Sequence, residues 1–197
     1  FVISRKDFKY RNVISFYFYF TTLFNGGMVC TYIFYIQYYG LKDNLLALIL
    51  PGLTPVFYML IMRNFVSGIP SALIESAKID GAGEVRIFFQ IVLPLLGSGL
   101  ATIGLFMALT YWNDWYNAML YINTEWKYPL QYMLYNMIQK AAAMARVASQ
   151  LGIPVENMPT NTLKLAMAVV ATGPIILLYP FVQKYFVKGV TIGSVKG

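Results

Sequence analysis

A stretch of 30 residues without a charged side chain, positions 12–41, restricts what this chain can fold into. As an α-helix it would be about 45 Å long, which exceeds the roughly 30 Å thickness of a bilayer's hydrocarbon core. Only 12% of the 197 residues are charged and 58% are hydrophobic, whereas about 25% are charged in a typical soluble domain. The sequence therefore predicts an all-α, polytopic membrane protein.

Four apolar segments are long enough to be membrane spans, and basic residues separate them. The predicted spans cover residues 13–36, 45–62, 87–112 and 165–182. Lysine and arginine favour the cytoplasmic side of short loops, so their distribution predicts the orientation. With the N-terminal segment inside, ten basic residues lie in cytoplasmic segments and five in outer segments. This topology puts a loop (63–86) and a tail (184–197) in the cytoplasm and a segment (115–162) outside, within a single domain of residues 1–197.

Several predicted spans contain residues that interrupt or bend helices. These are Asn25-Gly26-Gly27, Pro51, Pro55, Gly173-Pro174 and Pro180. A backbone carbonyl freed inside lipid needs a partner, so such breaks face protein or a cavity. The third span also places small residues four apart, at Gly97 and Ala101 and again at Gly104 and Ala108, a pattern that lets helix backbones approach closely. Ordinary helix packing and a gating hinge both remain possible roles for these positions.

The predicted cytoplasmic loop has the signals of a helix, a turn and a second helix. Pro70-Ser71 is a start signal, because proline suits the first turn and serine can cap it. Asp80-Gly81 is a stop signal, because glycine readily adopts the left-handed conformation at a helix end. The second helix is predicted to begin near Ala82. The first would be a short helix lying along the membrane, suited to a groove on a partner.

The loop also carries a spaced motif: Glu75-Ser76-Ala77, then Gly81, then residues 91–94 (IVLP). This pattern resembles the EAA loop of bacterial ABC importer permeases, the inner-membrane components of binding-protein-dependent transport systems. Ser76 stands where the usual pattern has alanine. Three further segments resemble the maltose-type carbohydrate subgroup of that family: residues 4–8, residues 111–114 (YWND) and the C-terminal residues 185–197.

The resemblance implies the fold of an ABC type I importer permease in the bacterial inner membrane. Such permeases typically have six spans, so the chain would be a C-terminal part with four transmembrane helices plus a cytoplasmic coupling helix. It would be the pore subunit for sugars or oligosaccharides, working by alternating access. Its implied partners are a second permease subunit, a cytoplasmic ABC ATPase dimer and an extracytoplasmic sugar-binding protein. The chain itself would be neither an enzyme nor bound to a cofactor, since the ATPase binds and hydrolyses ATP.

The same resemblance supplies most of the candidate site residues. Those implied to contact the ATPase are Glu75, Ser76, Ala77, Asp80 and Gly81, with Lys188, Gly189 and Lys196 in the tail. Polar residues in or beside the spans give candidates for the transport pathway: Asn25, Asn113 and Asp114. Other roles stay open, because Asp80 could cap a helix, Asn25 could bond between helices and Asp114 could lie at the surface.

The remaining function classes receive less support from the sequence. An ion-coupled secondary transporter would place ionisable groups at the bilayer midplane, and the predicted spans offer none. An ABC permease for a non-sugar solute shares the same loop and stays an alternative. With no histidine and a single cysteine, Cys30, the sequence does not favour a metal site or an enzyme. Its basic residues flank apolar runs, which favours lipid over nucleic acid.

Overall fold

A computed structural model of the chain describes residues 1–152 and 164–177 and positions 162 and 180. These described residues are mainly helical and contain no β-strand. The helices are α1 (Arg11–Leu23), α2 (Gly27–Tyr38), α3 (Leu46–Gly52), α4 (Val56–Ser67), α5 (Ser71–Ile79), α6 (Glu84–Leu95), α7 (Gly97–Trp112), α8 (Tyr116–Tyr121), α9 (Leu130–Gln150) and α10 (Lys164–Leu177). Short 3-10 turns lie at Val2–Ser4 and Glu125–Lys127.

The membrane segments are divided more finely than the sequence predicts. Within the described residues, no single helix combines the length and apolar composition needed to cross a membrane. Three bent pairs of successive helices do so together: α1 with α2, α3 with α4, and α6 with α7. Each of the first three predicted spans thus consists of two helices with a break between them. The fourth contains α10, and most of its remaining residues lie outside the described part of the chain.

The first two breaks follow from the residues at them. Between α1 and α2, the Asn25 side-chain oxygen accepts a hydrogen bond of 2.9 Å from the Gly27 N–H, and Gly27 has a φ of 81°. Glycine adopts this left-handed backbone without a steric penalty. Before α4, Pro55 has an extended backbone (φ −65°, ψ 121°). α3 ends at Gly52, and Pro55 fixes the start of α4 because its ring holds φ near the helical value and it needs no N–H partner there.

The third break lies beside Pro94 in α6. Proline lacks the N–H that would bond to the carbonyl four residues earlier, which here belongs to Gln90. The backbone directly before Pro94 is π-helical over Phe88–Val92, and the Leu93 N–H bonds to the Phe88 carbonyl five residues earlier. Leu96 then leaves helical geometry (φ −82°, ψ 8°), and α7 begins at the next residue.

The chain divides into two compact units, and the first contains Phe1–Gly27 and Leu53–Met107. Its buried centre comes from α4, α5 and α6 and the residue after α6. The buried side chains are Val66, Ala77, Ile87, Val92 and Leu96. Ile87 and Val92 are completely inaccessible to solvent, and partly buried aromatic rings, including Phe65 and Phe88, pack around them. The predicted cytoplasmic loop is therefore built onto the packed core of this unit.

Helices α4 and α7 approach closely at Gly99, a glycine outside the four-residue pattern of small residues. A Cβ atom on Gly99 of α7 would lie 2.8 Å from the Cγ atom of Phe65 in α4. A Cβ on Gly97 or Gly104 would meet no described atom within 4 Å. Among the described residues, close approach therefore occurs at Gly99 and not at Gly97 or Gly104. The four-residue spacing shows where α7 has small side chains. The position of the Phe65 ring on α4 determines that the contact forms at Gly99.

The second unit contains Met28–Gly52 and, where described, Ala108–Pro180. Its core contains Leu41, Ala47 and Tyr121, with the Tyr121 ring stacked on Tyr32 at a centroid distance of 5.8 Å. Two aromatic side chains of α7 bond to backbone carbonyls elsewhere in this unit. The Tyr111 hydroxyl donates to the Ile49 carbonyl at 2.8 Å, and the Trp112 indole N–H donates to the Ala171 carbonyl at 3.0 Å.

Candidate functional site

The predicted helix of the cytoplasmic loop is present as α5, and its ends lie where the sequence predicts. Pro70 occupies the N-cap position and Ser71 is the first helical residue. Serine was expected to be able to cap this helix, but no side-chain capping bond is formed, because Pro70 occupies that position. The next helix begins at Glu84, slightly later than the predicted start near Ala82.

A glycine-based C-terminal motif ends α5. Gly81 has a φ of 78°, its N–H donates to the Lys78 carbonyl at 3.0 Å, and the Ala82 N–H donates to the Ala77 carbonyl at 2.9 Å. These two bonds form a Schellman motif, which satisfies carbonyls that the helix end would otherwise leave unpaired. Gly81 is therefore required by the backbone geometry of the turn.

The structure separates the five predicted ATPase-contacting residues into two groups. Glu75, Ser76, Asp80 and Gly81 are exposed on the surface of the loop. Ala77 is only 7% exposed and belongs to the core of the first unit. The contribution of Ala77 in this structure is therefore to seat α5 on the protein, since its small side chain lets the helix approach Ile87 and Val66.

Apolar side chains on the outer surface of the loop were missed by the sequence reasoning. Ile79, the last residue of α5, is 86% exposed, and Val85 near the start of α6 is 71% exposed. A soluble partner could bury these side chains, and their burial would favour association. The available signal was the position of Ile79 directly before the Asp80-Gly81 stop, where a helix end projects from the surface.

Four charged residues, which we call the Arg5 cluster, join the N-terminal segment to this loop: Arg5, Asp7, Lys78 and Glu84. The Arg5 guanidinium binds the Asp7 carboxylate with two hydrogen bonds, one of them 2.8 Å long, and also pairs with Glu84. The Lys78 ammonium lies 3.3 Å from Asp7 and 3.1 Å from Glu84. Each base therefore contacts both acids.

Hydrogen bonds within the Arg5 cluster favour the charged forms of Asp7, Lys78 and Arg5. Hydrogen bonds from Arg5, and then from Lys78, hold the pKa of the Asp7 carboxyl well below its ordinary value. The hydrogen bond to Glu84 raises the pKa of Lys78, and the bond to Asp7 raises the pKa of Arg5. Asp7, Lys78 and Arg5 consequently remain ionised at neutral pH.

A groove runs along α5 beside the Arg5 cluster. It encloses about 690 Å³ and is lined by α5, the turn before it and the N-terminal segment. Glu75 and Ser71 are among the polar residues at its wall, and Ile74 and Val66 are among the apolar ones. The exposed motif residue Glu75 thus faces a concave surface formed within the first unit.

A second charged cluster lies in the second unit and was also missed. Asp43, between α2 and α3, accepts hydrogen bonds from the backbone N–H groups of Asn123 and Thr124, both at 3.0 Å. The Thr124 hydroxyl and the Lys127 ammonium each donate to the same carboxylate at 2.7 Å. The Lys127 bond is the main cause that holds the pKa of Asp43 well below its ordinary value. We call Asp43, Asn123, Thr124 and Lys127 the Asp43 cluster.

The three predicted pathway residues make local hydrogen bonds. Asn25 bonds to Gly27 at the break described above, and the Asn113 amide donates to the Leu109 carbonyl at 2.9 Å. The Asp114 carboxylate accepts from the backbone and side-chain nitrogens of Asn117, at 3.0 and 2.8 Å, which organises the start of α8. These bonds are compatible with a pathway role but do not require one.

Two remaining predictions concern the tail and bound groups. Lys188, Gly189 and Lys196 lie outside the described residues, so their predicted contact with the ATPase stays a prediction. Among the residues that the structure describes, no group of three or more acidic or cysteine side chains is arranged to hold a metal ion.

Comparison with known proteins places these features in a family context. Residues 2–192 match the family described as binding-protein-dependent transport system inner membrane component. The chain is 45% identical over 195 residues to the polygalacturonan/rhamnogalacturonan transport system permease protein YtcP of Bacillus subtilis (strain 168), covering 99% of this chain and 68% of that protein. It is 41% identical over 197 residues to Protein LplC of the same organism, covering 99% of this chain and 65% of the relative.

A solved structure shares the fold. It is the crystal structure of a bacterial ABC transporter involved in the import of the acidic polysaccharide alginate. The match has a TM-score of 0.76 and 30% sequence identity, and it covers 93% of this chain and 65% of that chain. The chain thus spans about two thirds of the length of the proteins to which it is similar.

Proposed function

Because this chain belongs to the inner-membrane components of binding-protein-dependent transport systems, the permeases of bacterial ABC importers, we propose that it lines part of the pore of an ATP-driven carbohydrate importer. The observation that carries this proposal is the family match over residues 2–192, together with 45% identity to a permease of a polygalacturonan/rhamnogalacturonan transport system. That relative and the matched alginate importer are both named for polysaccharides rich in acidic sugars. Acidic oligosaccharides are therefore the first solutes to test.

In the proposed mechanism, α5 is the coupling helix. It docks into a cleft of a cytoplasmic ATPase and presents Glu75, Ser76, Asp80 and Gly81, which are exposed. Ile79 adds an apolar contact, since burying such a side chain contributes about 1.5–3 kcal/mol. ATP binding closes the ATPase pair and moves α5, and the spans change from inward-facing to outward-facing.

The other parts of the assembly follow from the same proposal. A second permease subunit completes the pore, and an extracytoplasmic binding protein delivers the sugar. ATP is bound and hydrolysed by the ATPase, so this chain performs no catalysis and carries no cofactor. Lys188, Gly189 and Lys196 are proposed to reach the ATPase, and Asn25, Asn113 and Asp114 are proposed to border the pathway.

Reconstitution tests the transport function. The full-length protein, its partner permease, the ATPase and the binding protein are placed in proteoliposomes, and uptake of labelled oligogalacturonides and alginate oligosaccharides is measured. We expect uptake that requires ATP and binding protein. Uptake that persists without ATP and follows an ion gradient would instead indicate the secondary transporter. ATP-dependent uptake of a different solute class with no sugar transport would retain the ABC mechanism and refute the carbohydrate substrate.

Cross-linking tests the coupling helix directly. In a background with Cys30→Ser, Ile79→Cys is expected to form an adduct with the ATPase in the working assembly. Trp126→Cys is a matched control, because Trp126 is 79% exposed and lies in the predicted outer segment. Absence of an adduct at Ile79, or an equal adduct at Trp126, would contradict the proposed docking and orientation.

A further inference from the structure

We propose that the Arg5 cluster is the link that carries motion of α5 into the first membrane helix, α1. This inference rests on the proposed coupling function and assigns positioning roles to Arg5, Asp7, Lys78 and Glu84. None of these residues needs to touch the ATPase or the sugar. They would determine how much of the displacement of α5 reaches the pore.

The first support is where the four residues lie in the chain. Lys78 precedes the Gly81 turn and Glu84 follows it, so the cluster contacts both sides of the loop. Arg5 and Asp7 lie 79 and 71 positions away from their respective partners Glu84 and Lys78, in the short segment that leads into α1 at Arg11. The cluster therefore bridges the loop and the entry to a different span.

The second support is the pattern of contacts. Arg5 pairs with both Asp7 and Glu84, and Lys78 pairs with the same two acids. This closed set of four contacts resists separation in more than one direction, because moving either segment stretches at least two ion pairs. The Arg5 side chain is only 12% exposed, so it is held in place, whereas the other three are 40–59% exposed and can adjust.

The third support is the backbone of the loop. Phe1 packs on the same core as α5, and the Arg5 cluster adds charged contacts between the N-terminal segment and both sides of the Gly81 turn. Gly81 already has a φ of 78°, and the neighbouring Gly83 has no described atom within 4 Å of its Cβ position. The turn leads from α5 to α6 and not toward α1, so motion of α5 reaches the N-terminal segment through contacts between side chains. The Arg5 cluster supplies such contacts, and its paired charges can slide without exposing apolar surface.

The test measures sugar transported per ATP hydrolysed in the reconstituted full-length importer. Arg5→Gln and Glu84→Gln are each expected to lower this ratio by about threefold while ATP hydrolysis and assembly with the ATPase persist. The double variant should be no worse than the poorer single variant, because both remove the same link. Arg5→Lys keeps the charge without the two-pronged contact with Asp7 and should recover part of the ratio.

Lys6→Gln is the matched control, since Lys6 is exposed, adjacent to Arg5 and forms no ion pair within the described residues. It should leave the ratio unchanged. A purely structural role would lower expression and thermal stability in Arg5→Gln without changing the ratio in the molecules that assemble. An unchanged ratio in Arg5→Gln and Glu84→Gln, or additive losses in the double variant, would overturn the inference.

The Ile79→Cys adduct separates this inference from the coupling proposal. If the adduct forms equally in the parent and in Arg5→Gln while the ratio falls, both proposals stand. If the adduct forms and the ratio is unchanged, the link is wrong and docking stands. If no adduct forms in the parent, the coupling proposal itself fails.

Discussion

Two charged clusters tie distant parts of this chain together, and they do so in different ways. In the Arg5 cluster the bonds between segments join side chains, and the Asp7 and Glu84 side chains remain 59% and 56% exposed. In the Asp43 cluster the carboxylate also accepts backbone N–H groups, and the Asp43 and Lys127 side chains are only 27% and 20% exposed. Asp43 itself has a left-handed backbone, with a φ of 55°.

The difference indicates which junction can move. Ion pairs between half-exposed side chains are individually weak, so Asp7, Lys78 and Glu84 can adjust around the nearly buried Arg5. A carboxylate bonded to backbone N–H groups fixes the relative positions of two loops, because those donors cannot rotate away. The Arg5 cluster therefore suits a joint that shifts during a transport cycle, and the Asp43 cluster suits one that stays closed.

Gly81→Pro should have the largest effect on the movable region. Proline holds φ near −65°, whereas Gly81 has a φ of 78° and donates to Lys78. The strain and lost hydrogen bond cost about 2–4 kcal/mol locally, so ATP-dependent uptake should fall at least about tenfold. Gly83→Ala is the control, because Gly83 has an ordinary φ of −70° and open space around it. Normal uptake by the Gly81→Pro variant would show that the Gly81 turn is not needed for transport.

Asp43→Asn tests whether the second junction is fixed. The amide cannot satisfy all four donors, and Lys127 loses its counter-charge, so the melting temperature of the purified protein should fall by about 5 °C. Glu125→Gln is the comparison, because the Glu125–Lys140 pair is 3.9 Å apart and both side chains are at least 70% exposed. Little change is expected there. Equal melting temperatures for the Asp43→Asn variant and the parent protein would show that the cluster fixes nothing.

The packing beneath the movable loop gives a third test. Gly99→Ala places a methyl group 2.8 Å from Cγ and 3.2 Å from Cβ of Phe65, so turning the ring about its own axis does not relieve the contact. Overpacking of this kind costs about 1–3 kcal/mol, measured as a lower melting temperature in detergent. Gly104→Ala, on the same helix with nothing within 4 Å, should be neutral or slightly stabilising. Similar effects at both glycines would contradict the assigned α4–α7 contact.

The smallest effect concerns pH. A lowered pKa at Asp43 means that its ionised form stabilises the folded protein. That contribution is complete above the unfolded-state pKa of about 3.9 and is lost as the pH falls below it. The melting difference between parent and Asp43→Asn should therefore stay constant from about pH 8 to 5 and shrink only in stronger acid. If the melting-temperature difference disappeared between pH 7 and 6, a titratable group other than Asp43 would be its cause.

Local chemistry predicted the ends of the loop helix well. Pro70 cannot continue a preceding helix, and Gly81 supplies a conformation that other residues resist, so both ends of α5 follow from residues at the ends themselves. Residues 12–41 likewise predicted membrane segments, because a long run without charged residues is by itself the signature of a membrane span. The breaks at Asn25 and Pro55 were recognised as interruptions but not as complete helix ends.

Contacts between distant residues could not be predicted in the same way. Arg5 and Glu84 are 79 positions apart, and Asp43 and Lys127 are 84 apart. No periodicity relates such residues, and the pairing depends on how the helices pack. The same reason explains Ala77, which the motif marks as a partner contact but which packing places in the core.

The Tyr111 hydroxyl bonded to the Ile49 carbonyl has a consequence for redesign. Inside lipid, a carbonyl at a helix break must receive a hydrogen bond from the protein itself. The Tyr111 hydroxyl donates such a bond at the end of α3. Gly52 also leaves room for the ring, since a Cβ there would lie 2.7 Å from the phenol oxygen. If helices are exchanged between related transporters, Tyr111 and Gly52 must therefore be transferred together with the helix end at Ile49.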